Sequence, residues 1–224
     1  MKERPIIFSR PMVRSILGLP YGPIKRDCKT QTRRLVRART VVACPYGQKG
    51  DRLWVRECFG VCGDYGASRP RLVYRADYPE GWPASRVLPE GFRWRPSIHM
   101  PRSASRINLE LTAEPRLQLL GNMTEAEARA EGLGFDPGTK IWFVDGYTGD
   151  GWLKVYVALW NSIHGRSSEG SWMPDRLVWA LEFKRLDAPE AAGIERLNRL
   201  ETEFDEIDRK SRLEAHLSGL THLL

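Results

Sequence analysis

The sequence predicts an α+β fold, in which a small curved sheet or barrel carries a few helices. Short apolar or alternating runs typical of strands recur through the first 186 residues, and amphipathic helical segments lie between them. The connections between these segments are long and rich in Gly and Pro. The chain has 224 residues, 42% of them hydrophobic, which is enough for one substantial core or for a core domain with an appendage.

The first half of the chain contains four elements that pattern alone predicts, three strands and one helix. Residues 6–8 are an apolar run and should form the first strand, and residues 11–17 start with Pro and should form a helix. Residues 47–51 read as a turn, and residues 53–56 after it as a strand. Residues 63–97 look irregular, with a short strand at 72–76.

The second half gives clearer signals. Residues 106–111 alternate polar and apolar, which predicts a strand. Thr124 and Glu127 have the spacing of a capping box and Gly132 is a stop signal, so a short helix should lie between them. Residues 152–163 should be helical, and residues 177–183 should be a buried strand.

Residues 187–224 differ from the rest of the chain. Apolar residues recur there at helical spacing among charges of both signs, which predicts an amphipathic helix of about 25 residues. That helix could pack on the domain, or residues 190–215 could pair with a second copy to form a homo-oligomer.

Charge and hydropathy narrow the class of partner and the compartment. Lys and Arg exceed Asp and Glu by 35 to 28, giving a net charge of +7 and favouring polyanionic partners such as nucleic acid. No apolar stretch approaches the ~20 residues of a membrane helix, and no secretory signal is visible, so we expect a cytoplasmic protein without membrane contact.

The four cysteines are the residues that could form a metal site in this chain. Cys28, Cys44, Cys58 and Cys62 should be reduced thiols in the cytoplasm. A zinc site built on Cys58 and Cys62 stays open, although structural zinc usually shows pairs of tighter Cys-x-x-Cys knuckles. We therefore expect no metal and no cofactor.

Residues 29–34 are the most informative stretch and read KTQTRR. A core strand is not expected here, because buried charges need partners. We expect these residues to form the edge of a polar pocket instead. Burial beside Arg33 and Arg34 would lower the pKa of Lys29, and a neutral Lys29 could accept the hydroxyl proton of Thr32. The alternative is a solvated basic loop.

Several stretches resemble the ASCH family of the PUA-like superfamily of small β-barrels. They are residues 29–34, the turn and strand at 50–57, Thr124-Glu125 opening a helix, and the closing strand at 178–183. Residues 44–47, 94–101 and 158–163 make the chain more similar to phage- and prophage-encoded ASCH-like proteins.

The resemblance implies a fold and a domain organisation. It covers residues 5–186 and implies a PUA-like small β-barrel with flanking helices at residues 1–186. Residues 58–101 are then a long irregular insertion, and residues 187–224 a C-terminal helical extension. If the chain is phage-encoded, its compartment is the host cytoplasm.

The resemblance also implies chemistry. The family's pocket handles RNA, nucleotides or modified nucleobases, and one branch hydrolyses the acetyl amide of N4-acetylcytidine. That branch is similar in its Lys-x-x-Thr-x-Arg run, which here is Lys29, Thr32 and Arg34, and in a glutamate matched by Glu131. Thr32 would attack the acyl carbon, Lys29 would accept its proton, Glu131 would assist, and Arg34 would stabilise the oxyanion or hold the base. Glu131 could instead be a plain surface glutamate.

Two departures from the small amidohydrolases affect this comparison. The loop at 18–28 is longer here, and the insertion at 58–101 is absent from them. The residues expected to bind substrate or nucleic acid are Arg33, Arg34, Trp54, Arg56, Trp94 and Arg95. For Trp94 the alternative is that the ring pins an irregular loop.

Two other function classes remain open at this stage. The same pocket could serve a non-catalytic reader of RNA or DNA, whose binding would depend on salt. The chain could also be a structural or interaction protein that oligomerises through its C-terminal helix.

Overall fold

The computed structural model describes residues 1–19, 28–36, 43–62, 71–78, 88, 92–144, 146–165 and 170–186. In these ranges the chain forms a curled, half-barrel sheet with α-helices packed against it, which confirms the α+β class. The amphipathic helix expected in residues 187–224, including the pairing segment 190–215, lies outside the described residues, as does most of the loop at 18–28.

The elements are, in chain order, β1 (Glu3–Ile7), α1 (Arg10–Ile16), β2 (Gln31–Leu35), β3 (Arg52–Arg56), β4 (Phe59–Cys62), β5 (Arg71–Tyr74), β6 (Asn108–Leu111), β7 (Arg116–Leu119), α2 (Glu125–Ala130), β8 (Gly134–Asp136), β9 (Ile141–Val144), β10 (Tyr147–Gly149), α3 (Trp152–His164) and β11 (Leu177–Arg185).

The main sheet has the strand order β1-β3-β6-β11-β2, and β7 also pairs with β11. β1 and β3 are parallel, and the other pairs are antiparallel. β11 is long enough to pair with β2 along its first half and with β6 along its second. β1 and β2 are thus the two ends of the curled sheet, and the pocket described below lies between them.

The core lies on the inner face of this sheet, because its strands alternate. In β3, Leu53 and Val55 are fully buried while Arg52, Trp54 and Arg56 are half-exposed. α1 and α3 cover the inner face with apolar side chains such as Val13, Ile16, Val155 and Leu159.

A tight turn between residues 47 and 51 leads into β3, as the sequence predicts. Gly47 has a φ of +112°, and a Cβ there would lie 2.7 Å from both Arg4 Nη1 and Asp51 Oδ2. Asp51 accepts hydrogen bonds from the Lys2 N–H and from Arg4 Nη1. The turn therefore needs glycine both for its left-handed backbone and for space.

Two small sheets were not predicted from the sequence. β8, β9 and β10 form an antiparallel three-stranded sheet after α2, and β4 pairs with β5 as a hairpin. The hairpin has its own small apolar cluster, in which Val73 and Tyr78 pack with Trp94. The described part of the insertion at 58–101 is thus more ordered than its composition indicates.

A buried ion cluster joins this insertion to the main sheet. Arg106 donates two hydrogen bonds to the Glu57 carboxylate, at 2.7 and 2.9 Å, and two to Asp77, at 2.7 and 2.8 Å. Its guanidinium lies 4.0 Å from the centre of the Tyr74 ring. Glu57 and Asp77 are 2% and 6% exposed, so each depends on Arg106 to balance its charge.

The expectation that residues 29–34 avoid a core strand is wrong. Residues Gln31–Leu35 form β2, and Thr32 and Arg33 within it are buried. The expectation failed because the partners that balance these charges come from α2, about a hundred residues away along the chain.

No helix of the described ranges is long and apolar enough to span a membrane.

We expect Arg106→Met to lower the free energy of unfolding by about 3–5 kcal/mol, because it leaves two buried carboxylates without their guanidinium. Urea denaturation followed by tryptophan fluorescence measures this loss. Lys184→Gln is the control, since Lys184 forms a largely exposed ion pair with Glu110. Equal midpoints for both variants would contradict the assignment.

Candidate functional site

A pocket of about 690 Å³ lies in the gap between β1 and β2, at the unclosed seam of the curled sheet. β1 contributes Ile7, Phe8 follows directly after it, and β2 contributes Thr32 and Arg34. α3 supplies the far wall, and Glu131 reaches the pocket from the end of α2. The sheet geometry therefore brings together residues that are far apart in sequence.

Strand alternation decides which side chains of β2 face this pocket. Thr32 pairs with Leu181 and Arg34 with Trp179 in β11, and Trp179 also lines the pocket. Arg33 pairs with Ala180 and lies on the opposite face, against α2. Thr32 and Arg34 are thus pocket residues, and Arg33 is not.

Glu131 is placed by the two ends of α2. Thr124 and Glu127 form the predicted capping box at the N-terminus. At the C-terminus Gly132 adopts a φ of +100°, and a Cβ there would lie 2.7 Å from Ser15 Oγ. The N–H of Thr30 donates to the Ala130 carbonyl at 2.8 Å, which fixes the end of α2 against the start of β2.

Glu131 is the centre of a buried ion cluster. Lys29 Nζ donates to Glu131 Oε2 at 2.5 Å and to the Glu131 carbonyl at 2.8 Å. Arg33 Nη1 donates to Glu131 Oε1 at 3.1 Å, and its Nη2 lies 3.0 Å from Glu127 Oε1. Because the Lys29 and Arg33 side chains are fully buried and Glu131 is 4% exposed, loss of Glu131 would leave buried positive charge without its carboxylate and destabilise the fold. The surface-glutamate alternative for Glu131 is therefore wrong.

Tyr156 adds a neutral donor to the cluster. Its hydroxyl donates to Glu131 Oε1 at 3.4 Å, and the side chain also lines the pocket. Burial and the charge of Glu131 raise the pKa of Tyr156 well above its ordinary value. The phenol therefore keeps its proton and links α3 to the end of α2.

The cluster shifts the pKa values of its members. Burial lowers the pKa of Lys29 to about 8, and the charge of Glu131 only partly offsets this. Burial raises the pKa of Glu131, but Lys29 and Arg33 outweigh it and hold that pKa below the ordinary value. At neutral pH the pair is therefore an ammonium and a carboxylate, with Lys29 close to losing its proton.

Lys29 and Thr32 do not meet directly. Lys29 does not line the pocket, whereas Thr32 does, and Lys29 precedes β2 and is buried against Glu131 at the end of α2. Within the described residues, the Lys29 ammonium donates to Glu131 and makes no hydrogen bond to the Thr32 hydroxyl. Glu131 is the group that contacts Lys29 and also faces the pocket.

Arg34 closes the seam between the two end strands. Its Nη2 donates to the Ile7 carbonyl at 2.7 Å, and its guanidinium lies 4.5 Å from the centre of the Phe8 ring. Its buried Nε has no hydrogen-bond partner among the described residues. No carboxylate of that part of the chain forms an ion pair with Arg34, so its charge is available to a ligand in the pocket.

The other expected binding residues lie outside the pocket. Trp54 and Arg56 are on the outer face of the main sheet, with the Arg56 guanidinium 5.5 Å from the Trp54 ring centre. Trp94 is part of the insertion's apolar cluster and packs edge-on against Phe92 at 4.9 Å. Arg95 is exposed, and its backbone pairs with Phe59.

Sequence reasoning missed the aromatic residues of the pocket. They are Phe8, Tyr46, Tyr156, Trp160, His164 and Trp179. The helical spacing of Tyr156, Trp160 and His164 in α3 could have shown that they share a face. Phe8 and Tyr46 had no such signal.

No metal centre was found in the part of the chain that the structure covers: it contains no group of three or more His, Cys, Asp or Glu arranged for a metal ion. The four cysteines, all of which are described, are not joined in disulfides. Burial raises the pKa of the Cys44 and Cys58 thiols. These thiols are therefore poor nucleophiles at neutral pH.

We expect Glu131→Gln to lower the free energy of unfolding at pH 7 by about 3–5 kcal/mol, because the variant leaves buried Lys29 without a carboxylate and Arg33 with Glu127 alone. The folded-state pKa of Glu131 is lowered, so its stabilisation is present above about pH 4.5 and is lost as pH falls through the folded pKa. The difference between wild type and variant should shrink accordingly in acid. Glu125→Gln, at a half-exposed pair with Arg129, is the control. A difference that persists unchanged at pH 3 would contradict the assignment.

Comparison with known proteins does not assign the chain to a family: no protein-family model, no curated protein and no solved structure matches it.

Proposed function

We propose that this chain is an ASCH-like protein that binds a modified nucleoside in the pocket at the sheet seam and hydrolyses an N4-acyl amide of cytidine. The observation that carries the proposal is the position of Glu131. Its carboxylate is held by Lys29, Arg33 and Tyr156 on one side and faces the pocket, beside Thr32, on the other.

The pocket suits a nucleoside in size and lining. Its volume of about 690 Å³ is within the usual range for small-molecule sites. Its walls are mostly aromatic and apolar, with Thr32, Arg34 and Glu131 as polar groups. Aromatic walls stack on a base, and a few fixed polar groups orient it.

Thr32 is the proposed nucleophile and Lys29 the proposed base. The hydroxyl proton of Thr32 passes to neutral Lys29 through the Glu131 carboxylate, which contacts Lys29 at 2.5 Å and faces the pocket. The Thr32 oxygen forms a bond to the acyl carbon, and Arg34 stabilises the oxyanion that results.

Collapse of that intermediate breaks the bond between the acyl carbon and N4. N4 takes the proton from Lys29, again through Glu131, and leaves as the amino group of cytidine. Water then attacks the acyl-Thr32 ester and gives its proton to the same pair. The ester bond breaks, Thr32 regains its proton, and the carboxylic acid is released.

One observation favours a non-catalytic reader as the second candidate. The Lys29 ammonium donates two of its hydrogen bonds to a single residue, Glu131. In a reader the cluster would have only a structural role, as a fixed wall of the pocket. Arg34 would then provide the charge that holds the ligand. Both candidates predict that the pocket binds the modified nucleoside, and only the hydrolase predicts that the nucleoside is turned over.

We expect Thr32→Val and Lys29→Met to lower kcat/KM for N4-acetylcytidine at least 100-fold, because they remove the nucleophile and the base. Release of acetate, followed by chromatography, measures this. Thr30→Val is the matched control, since Thr30 is an exposed threonine of the same stretch and should leave kcat/KM unchanged. Circular dichroism of each variant separates a loss of activity from a loss of folding.

If the wild type binds N4-acylated nucleosides and oligonucleotides but turns none of them over, the non-catalytic reader becomes the better assignment and the hydrolase is excluded. Absence of both binding and turnover would overturn the proposal as a whole.

We expect kcat/KM to rise with pH and to level off above about pH 8. Lys29 accepts a proton only as a neutral amine, and its pKa is lowered to about 8. A pH–rate profile between pH 6 and 9.5 measures this. Lys29→Arg should abolish activity at every pH in that range, because a guanidinium stays protonated. A flat wild-type profile would contradict Lys29 as the base.

A further inference from the structure

The outer face of the main sheet carries an aromatic ring among arginines. β3 alternates, so Arg52, Trp54 and Arg56 point away from the core and are half-exposed. The Trp54 ring centre lies 5.5 Å from the Arg56 guanidinium and 5.9 Å from that of Arg102. We call Arg52, Trp54, Arg56 and Arg102 the outer patch.

The outer patch has an excess of positive charge. Arg102 pairs with Glu3 at 2.8 Å, and Arg52 lies opposite Glu3 in β1 and Glu110 in β6, whereas Arg56 forms no ion pair with a carboxylate in the described ranges. Arg56 donates instead to the Ile98 carbonyl, and the buried Nε atoms of Arg52 and Arg56 lack partners among the described residues. A polyanion is the chemistry that complements such a surface.

The outer patch lies directly beside the pocket. β1 separates the two, and its residues Pro5 and Ile7 line the pocket. In the parallel register of β1 and β3, Pro5 is opposite Trp54 and Ile7 is opposite Arg56. β3 lies one strand spacing, roughly 5 Å, from β1, so the outer patch begins one strand away from the rim of the pocket.

We infer that the substrate of the pocket is a nucleotide within a single strand of nucleic acid, and that the adjoining nucleotides lie across β1 on the outer patch. One flanking base stacks on Trp54, and the neighbouring phosphates contact Arg52 and Arg56. Stacking on an aromatic ring next to cationic side chains is how proteins hold single strands without reading their sequence. This inference deepens the proposed function and rests on it for the chemistry in the pocket.

The experiment compares a free nucleoside with a five-nucleotide RNA. Fluorescence anisotropy measures the affinity of a labelled RNA, and acetate release measures kcat/KM for N4-acetylcytidine alone and at the centre of the same RNA. The variants are Trp54→Ala and Arg56→Gln. Lys154→Gln is the charge-matched control, since Lys154 is 75% exposed on α3 and pairs with Asp150.

We expect Trp54→Ala to weaken RNA binding about tenfold and to lower kcat/KM for the modified RNA by a similar factor, because one base stack is lost. Turnover of the free nucleoside should not change, since Trp54 does not line the pocket. Arg56→Gln should reduce the salt dependence of RNA binding by about one unit of slope, because one phosphate contact is lost. Lys154→Gln should change neither.

Failure of this inference is distinguishable from failure of the proposed hydrolysis. If no substrate is turned over but Trp54→Ala weakens RNA binding and Lys154→Gln does not, the outer patch stands and the hydrolase falls. If the wild type binds or turns over the RNA no better than the nucleoside, the inference is overturned. An equal loss for both substrates in Trp54→Ala, or no loss for either, also overturns it.

Discussion

Lys29 and Arg33 can lie in the interior of this protein because the carboxylate of Glu131 lies between them, and Glu127 adds a second partner for Arg33. That carboxylate is in place because α2 ends one residue before it and the chain turns at Gly132. Loss of Glu131 would leave Lys29 buried without a carboxylate, whereas Arg33 would keep Glu127. The same three groups therefore fix β2 to α2 and form one wall of the pocket, so stability and the proposed chemistry depend on one contact set.

The pocket exists because the curled sheet does not close. β1 pairs with β3 and β2 pairs with β11, and within the described elements no ladder joins β1 to β2. The two edges are connected instead by the Arg34 side chain, which donates to the Ile7 carbonyl. A ladder of main-chain hydrogen bonds at this position would have filled the space that the aromatic residues now line. The opening in the sheet is thus the feature that makes room for a ligand, and Arg34 both bridges it and faces it.

Local signals in the sequence predicted the elements that local physics stabilises. The capping box at Thr124 and the helical spacing of Val155 and Leu159 gave α2 and α3, because those patterns act over a few residues. β2 was missed because its charges are balanced by Glu131, and spacing along the chain does not show such a distant partner. The grouping of Thr32, Arg34 and Glu131 around one pocket followed from the family resemblance, whereas the aromatic walls and the outer patch required the sheet register. The small sheet of β8 to β10 was missed because its strands are short and lack alternation.

Arg106 connects the insertion to the main sheet through a single guanidinium. One guanidinium holds Glu57 at the end of β3, Asp77 after β5, and the ring of Tyr74. Glu57 and Arg106 lie outside the segment from 58 to 101 and are joined by two hydrogen bonds, whereas Asp77 and Tyr74 lie within it. Removal of the segment would leave the Arg106–Glu57 pair without the carboxylate and the ring that now accompany it. A relative without the segment would expose this pair to water, where an ion pair stabilises little, or carry apolar residues at both positions.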